Sequence, residues 1–362
     1  MDWSPQQGRA LAEVAAWLKA GEPQIFRLFG YAGTGKTTLA RHIAEGVDGD
    51  VVFGAFTGKA ALVLRAKGCR EAATIHSLIY RPRDTEAESP TFVLNRESVV
   101  GKAELVIIDE CSMVDEELGR DLLSFGTPVL VLGDPAQLPP VKGAGFFTDA
   151  EPDVMLSEVH RQAADNPIIR MSMTVRDGGR LADGSYGESR VIRRDEVSAH
   201  TVLEADQVLV GTNRTRRAYN ARIRELRGFG EPVPMVGEKL VCLRNDKAKG
   251  LLNGGMWRVE KRRPMRKGYL RMSVVAEDDM AKKSVRIEVL REFFGAEAEI
   301  PFALRRKSDE FDYGYALTVH KAQGSQWDDV VLFDEGFAFR EHRSRWLYTA
   351  ITRAAERIIV VV

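Results

Sequence analysis

Two hydrophobic patterns alternate along the chain. Short apolar runs at Gln24–Phe29, Val51–Thr57, Leu105–Asp109 and Pro128–Asp134 read as buried-type strands. Between them apolar positions recur at helical spacing. Ala10, Leu11, Val14, Trp17 and Leu18 predict a helix over 8–20, behind the start signal Ser4-Pro5. Strands broken by helices imply a parallel sheet with helices on both faces. Further on, the pattern predicts a helix over Pro167–Arg176, a Gly- and Asp-rich loop over 177–190, a strand over Gln207–Val210 and a basic helix over Arg216–Arg227. From Gly237 to about Lys307 short alternating runs are separated by glycines and charged turns, which predicts a small inserted β-barrel. The α/β pattern resumes at Asp312 and closes with strands at Val330–Phe333 and Arg357–Val362. The polar stretch 81–98, with Pro82, Pro90 and the alternating Thr91-Phe-Val-Leu, reads as a small hairpin insertion.

In such sheets ligands bind at the carboxyl ends of strands, so the polar residues there carry the chemistry. After the first strand comes Gly30-Tyr-Ala-Gly-Thr-Gly-Lys-Thr37, which fits G-x-x-x-x-G-K-[ST]. Gly30, Gly33 and Gly35 permit backbone angles that a Cβ forbids, so successive N–H groups can curl around phosphate oxygens. The following helix aims its positive dipole end at the same anion. Lys36 supplies a mobile charge for the β- and γ-phosphates, and the Thr37 hydroxyl can ligate Mg²⁺. Asp109 can hold Mg²⁺ through its water shell, and Glu110 can activate the attacking water. Gln137, in Gly133-Asp-Pro-Ala-Gln-Leu-Pro-Pro140, can sense the γ-phosphate. The amide of Gln7 can pair with an adenine edge.

Composition narrows the class. A length of 362 residues calls for two or three domains, and 44% hydrophobic with 29% charged residues is a globular balance. There is no run of 18 apolar residues and no signal-peptide pattern at the N-terminus, so no membrane partner and a cytoplasmic location are expected. Cys69, Cys111 and Cys242 lack metal-like spacing, which fits a reducing compartment. Lys plus Arg and Asp plus Glu both total 52, which argues against a wholesale nucleic-acid coat. Residues 201–300 hold 21 basic against 14 acidic side chains, either a solvated face or a local binding track.

The motifs occur in a specific order: 30–37, Ala-Phe-Thr-Gly-Lys-Ala-Ala at 55–61, Thr-Ile-His-Ser-Leu at 74–78 and Ile-Ile-Asp-Glu-Cys-Ser-Met at 107–113. Then come 133–140, His-Arg-Gln at 160–162, Ala-Leu-Thr-Val-His-Lys-Ala-Gln-Gly-Ser-Gln at 316–326 and Tyr-Thr-Ala-Ile-Thr-Arg at 348–353. The set resembles the B branch of superfamily 1 helicases, the RecD/Dda-like group.

The resemblance implies two RecA-like P-loop lobes with parallel sheets and ATP in the cleft between them. The first lobe would take 1–80 and 99–150, with 81–98 as a pin-like insertion. The second would take 151–236 and 308–362, with 237–307 as an SH3-like β-barrel insertion. It implies that Gln7 reads adenine, that Gly33, Thr34, Gly35, Lys36, Thr37, Thr38 and Gly324 line the nucleotide, and that Arg161 and Arg353 reach the γ-phosphate from the second lobe. It implies a single-stranded DNA track over Thr57, Lys59 and His76 in the first lobe and Asn213, Thr318, His320 and Lys321 in the second. Phe92 is the pin's aromatic candidate for base stacking, with a packing role as the alternative. The implied activity is ATP- and Mg²⁺-dependent 5′→3′ translocation and unwinding at single-strand/duplex junctions, with replication or recombination proteins as further partners. With no extension ahead of the first lobe or after Val362, the chain reads as a bare motor.

Competing readings are a motor subunit of a recombination nuclease, an RNA helicase and a P-loop kinase or switch GTPase. The last leaves 320–323 and 348–353 without a purpose.

Overall fold

The computed structural model describes residues 3–82, 92–140, 145–158, 165–246, 248–277, 283–295 and 300–362. Arg161 and most of the 81–91 part of the expected hairpin lie outside these residues.

The chain opens with a helix, Pro5–Ala20, three residues ahead of its expected start. Ser4 caps it by accepting the Gln7 N–H, Gln7 returns the bond to Ser4, and Gly21 ends it with φ of +75°. Strands β1 (Ile25–Gly30), β2 (Val51–Ala55), β3 (Ala73–Thr74), β6 (Leu105–Asp109), β7 (Val129–Gly133) and β8 (Val154–Leu156) form one sheet in the order β3-β2-β6-β7-β1-β8. Every pairing in it is parallel. Successive side chains alternate between two cores, as the period of a strand requires. Leu28, Leu105, Ile107, Leu130 and Leu132 enter one core. Phe29, Val106, Ile108, Val129 and Val131 enter the other. That is why these strands read as unbroken apolar runs. Between β3 and β6, β4 (Tyr80–Pro82) pairs antiparallel with β5 (Phe92–Leu94).

A second sheet follows. Strands β9 (Gly184–Tyr186), β10 (Ser189–Ile192), β11 (Gln207–Val210), β17 (Ala316–Thr318), β18 (Trp327–Phe333) and β19 (Ala354–Val361) take the order β17-β11-β18-β19-β10-β9. All pairs are parallel except β9 with β10. The reading of 177–190 as a loop is corrected here. Gly187, at φ of +61°, turns a short hairpin, and β10 is held by its parallel pairing to β19. The basic helix begins at Asn213 rather than Arg216, because Thr212 caps it by accepting the Thr215 N–H.

The third unit is an antiparallel sheet in the order β15-β14-β13-β12-β16. Its members are β12 (Lys239–Cys242), β13 (Met256–Arg266), β14 (Tyr269–Ala276), β15 (Ser284–Leu290) and β16 (Phe311–Tyr313). A bridge from Val289 to Asp309 brings the β15 edge back toward β16, and the sheet extends past residue 307 to Tyr313. Its core is continuous with one face of the second parallel sheet: Leu240, Trp257 and Val274 share a cluster with Val208, Val210 and Phe333. Among the described residues, no helix is long and apolar enough to cross a membrane.

Candidate functional site

The phosphate-type loop leaves β1 with Gly33 and Gly35 both at φ of +80°, and Gly35 caps the Lys36–Glu45 helix. The Lys36 Nζ donates to the carbonyls of Gly30 and Tyr31, at 2.5 and 2.9 Å. The Thr37 hydroxyl donates to the Asp109 carboxylate at 3.1 Å. Burial and the charge of Glu110 push the Asp109 carboxyl up, while Lys36 pulls it down. Glu110 stands beside it at φ of +54°, a left-handed conformation uncommon for a residue with a Cβ.

These groups line a cavity of about 590 Å³ that both halves of the chain build. Gln7, Gly33, Thr34, Gly35, Lys36, Thr37, Thr38, Asp109, Glu110 and Gln137 come from the first half, and Gly324 and Arg353 from the second. The structure thus brings together every expected nucleotide residue except Arg161, which lies outside the described residues. Arg353 is 5% exposed; its guanidinium is held by the Thr349 and Ser325 carbonyls and the Thr352 hydroxyl. Among the described residues the buried Gln137 Oε1 has no hydrogen-bond partner, an orphan that a ligand in the cavity would satisfy. Gln7 donates to the Thr34 carbonyl at 3.1 Å, which ties the opening helix to the loop.

Trp3 is a wall of the cavity that the sequence reading missed. Asp134 and Tyr348 are also missed. The Tyr348 hydroxyl crosses between the lobes to the Asp134 carboxylate at 2.6 Å. Leu138 of the first lobe is buried in the core of the second, and the Gln323 side chain donates to its carbonyl at 3.1 Å.

A second set of groups lies along the carboxyl ends of the outermost two strands at one side of each parallel sheet. Thr57 after β2 and Thr74 at the end of β3 each cap a helix, accepting N–H bonds from Ala60 and Ser77. Thr212 after β11 and Thr318 at the end of β17 do the same toward Thr215 and Lys321. In each sheet the two strands are neighbours at one edge. The local match of Thr74-Ile-His76 to Thr318-Val-His320 is the sequence signal that could have found Thr74.

The expected nucleic-acid residues differ in access. His76 is exposed, with its ring against Tyr80 at 4.7 Å and edge-on to Phe92 at 4.6 Å. Phe92 is 48% exposed and Asn213 is exposed. Lys59 and Thr318 are buried. Lys59 follows Gly58, which lies tight against Leu252 of the five-stranded unit. Burial, then the neighbouring His342, lowers the His320 pKa; burial, then Arg216, lowers that of Lys321. The helix that begins at Asn213 already holds an anion. The buried Glu335 carboxylate accepts from Gly211 N–H, Thr212 N–H and the Thr215 hydroxyl.

Comparison with known proteins fits this geometry. Residues 3–196 match a family described as AAA domain, and residues 313–361 match the UvrD-like helicase C-terminal domain. The ATP-dependent RecD2 DNA helicase of Deinococcus radiodurans is 31% identical over 91% of this chain and 46% of its own length. The ATP-dependent DNA helicase dda of Enterobacteria phage T4 is 34% identical over 41% of this chain and 37% of its own. The chain thus spans less than half the length of these curated relatives. Bacteroides Pif1 bound to ssDNA shares the fold with a TM-score of 0.61 at 19% identity, covering 99% of this chain and 92% of that one. The Bacteroides Pif1 complex with ADP-AlF3 and ssDNA has a TM-score of 0.59 at the same identity and coverages. With a matched AAA domain over more than half its length, the chain belongs to the AAA-domain family, and a segment similar to the UvrD-like helicase C-terminal domain follows.

Proposed function

We propose that this chain is an ATP-dependent DNA helicase that translocates 5′→3′ on single-stranded DNA and hydrolyses ATP between its two lobes. The observation that carries this reading is the shared cavity. Lys36 and Glu110 line it from the first half of the chain and Arg353 from the second, which supports a hydrolytic site assembled from both halves. Lys36 would leave the Gly30 and Tyr31 carbonyls for phosphate, and the orphaned Gln137 oxygen would accept an O–H from the attacking water. Arg353 would contribute a planar, permanent charge as phosphate charge spreads, and such a finger is typically worth ~10³–10⁵ in rate. Hydrolysis removes its partner, and the lobes relax.

Mg²⁺ suits the donor set, a hydroxyl beside a buried carboxylate. Thr37 and Asp109 would hold it, and it would neutralise charge on the phosphates. Glu110 orients the attacking water and accepts its proton.

Single-stranded DNA is the proposed partner, lying over the paired strand ends with Thr57, Lys59 and His76, then Asn213, Thr318, His320 and Lys321. Thr74 and Thr212 join this set through their positions. Short hydroxyl, amide and cationic groups suit phosphate contacts that ignore sequence. The names of the relatives, an ATP-dependent RecD2 DNA helicase and a Pif1 bound to ssDNA, support the same substrate. In this reading the β4–β5 pair is the base of a pin that splits the duplex, with Phe92 at its base, and the five-stranded unit is an SH3-like guide for the strand.

The test is ATP-driven unwinding of duplexes with 5′ or 3′ tails, alongside ATPase stimulation by DNA and RNA of one sequence. Unwinding from the 5′ tail and stimulation by DNA are expected. Unwinding from the 3′ tail alone would refute the polarity, and stimulation by RNA alone the substrate.

A further inference from the structure

Tyr348 belongs to the Arg343–Ile351 helix of the second lobe, yet both bonds of its hydroxyl reach the first. It donates to the Asp134 carboxylate at 2.6 Å and accepts the Ala32 N–H of the phosphate loop at 3.0 Å. Tyr348 and Asp134 are 1% and 3% exposed. The other Asp134 oxygen accepts the Ala136 N–H at 3.0 Å, which shapes the turn leading to Gln137. One residue on, the Thr349 hydroxyl accepts the Leu138 N–H at 2.9 Å, and the Thr349 carbonyl holds Arg353 Nε at 3.1 Å. A continuous chain therefore runs from the phosphate loop through Tyr348 and Asp134 to the Gln137 turn, and through Thr349 to Arg353.

Apolar packing between lobes is non-directional and permits sliding. A buried hydroxyl shared between a carboxylate and a backbone amide satisfies its geometry in one register. Burial and the Asp134 charge push the Tyr348 phenol up, so it stays a donor.

We infer that Tyr348 is a positioning residue, whose hydroxyl sets the register of the two lobes so that Arg353 and Gln137 face the phosphate loop together. The kinetic part rests on the proposed ATPase reading; the register itself does not.

Tyr348→Phe keeps the ring and removes one oxygen. With saturating single-stranded DNA, kcat is expected to fall about tenfold, the scale of a lost hydrogen bond to a charged group, while KM for ATP changes about twofold or less. Asp134→Asn removes one of the two acceptors, and the double variant is expected to be no slower than the slower single one. Wild-type kcat in Tyr348→Phe, or losses that multiply in the double variant, would overturn the proposal.

A readout independent of catalysis uses spin labels at Glu13→Cys and Arg190→Cys, both exposed in the parent chain, while the native cysteines are buried. The distance distribution between them in the nucleotide-free chain is expected to broaden in Tyr348→Phe; an unchanged width would overturn the proposal. A wild-type chain without DNA-stimulated ATPase, whose labels still broaden on Tyr348→Phe, would refute the functional reading and keep the register.

Discussion

Gly324 of the second lobe meets Thr57 of the first so closely that a Cβ on it would stand 2.9 Å from the Thr57 hydroxyl oxygen. The same Cβ would lie 2.9 Å from the Ala60 Cβ, and Gly324 holds φ of +73°. A side chain here is strained in its own backbone and presses on the other lobe, and the backbone part alone costs about 1 kcal/mol. Gly324→Ala is expected to slow ATP turnover about tenfold, since the proposed hydrolysis needs the two halves to meet at this face. Steady-state ATPase measurements check this, and full turnover would show that the lobes need not approach so closely.

Glu110 sits beside the Thr37–Asp109 pair in a left-handed conformation. Glu110→Gln preserves size and removes the base. Turnover is expected to fall about 10²–10⁴-fold, the usual range for a general base, with ATP and DNA still bound. Nucleotide-binding titration beside single-turnover hydrolysis separates the two effects, and normal turnover would take Glu110 out of its role.

Phe92 is half exposed and touches His76 edge-on at the β4–β5 pair. Phe92→Ala is expected to shift stability by about 1 kcal/mol or less, since little buried area is lost. Duplex unwinding should weaken while ATPase stimulated by single strands stays near wild type. Equal loss of both would place Phe92 in packing rather than strand separation.

Alkaline pH should weaken the fold. Burial pushes the Cys242 thiol from 9.0 up to about 12 and raises Cys111, Tyr313 and Tyr348 in the same direction. These groups hold protons more tightly folded than unfolded. Their contribution is therefore complete below about pH 9 and is lost as pH rises toward the folded values. The lowered Lys239 and Lys321 act in the opposite sense. With more groups raised than lowered, Tm is expected to drop between pH 8.5 and 10.5, measurable by calorimetry at constant ionic strength. A flat Tm would contradict the sign.

Several elements were legible for local reasons. Leu105–Asp109 and Gln207–Val210 are short strands whose apolar runs face two cores, and Pro167–Arg176 carries its own cap in Asn166. The phosphate loop, Asp109 and Glu110 stand out by residue type at strand ends, whereas Arg353 was expected only from the family resemblance; all of them line one cavity. The β9–β10 hairpin was not legible, because Gly- and Asp-rich composition hides strands made by long-range pairing: β10 on β19, and β9 on β10. Tyr348 and Asp134 were illegible for a different reason. Their bond joins residues 214 apart in the chain, and no local pattern marks it.

The central claim is that the two lobes share one triphosphate, and Arg353→Lys tests it most directly. Lysine keeps the charge but loses the planar fork. Single-turnover hydrolysis, measured with nucleotide affinity, is expected to slow by about 10³-fold or more while ATP binds within about threefold of wild type. Hydrolysis at the wild-type rate would contradict the account, because the planar charge that Arg353 is said to bring to the shared site would then be dispensable.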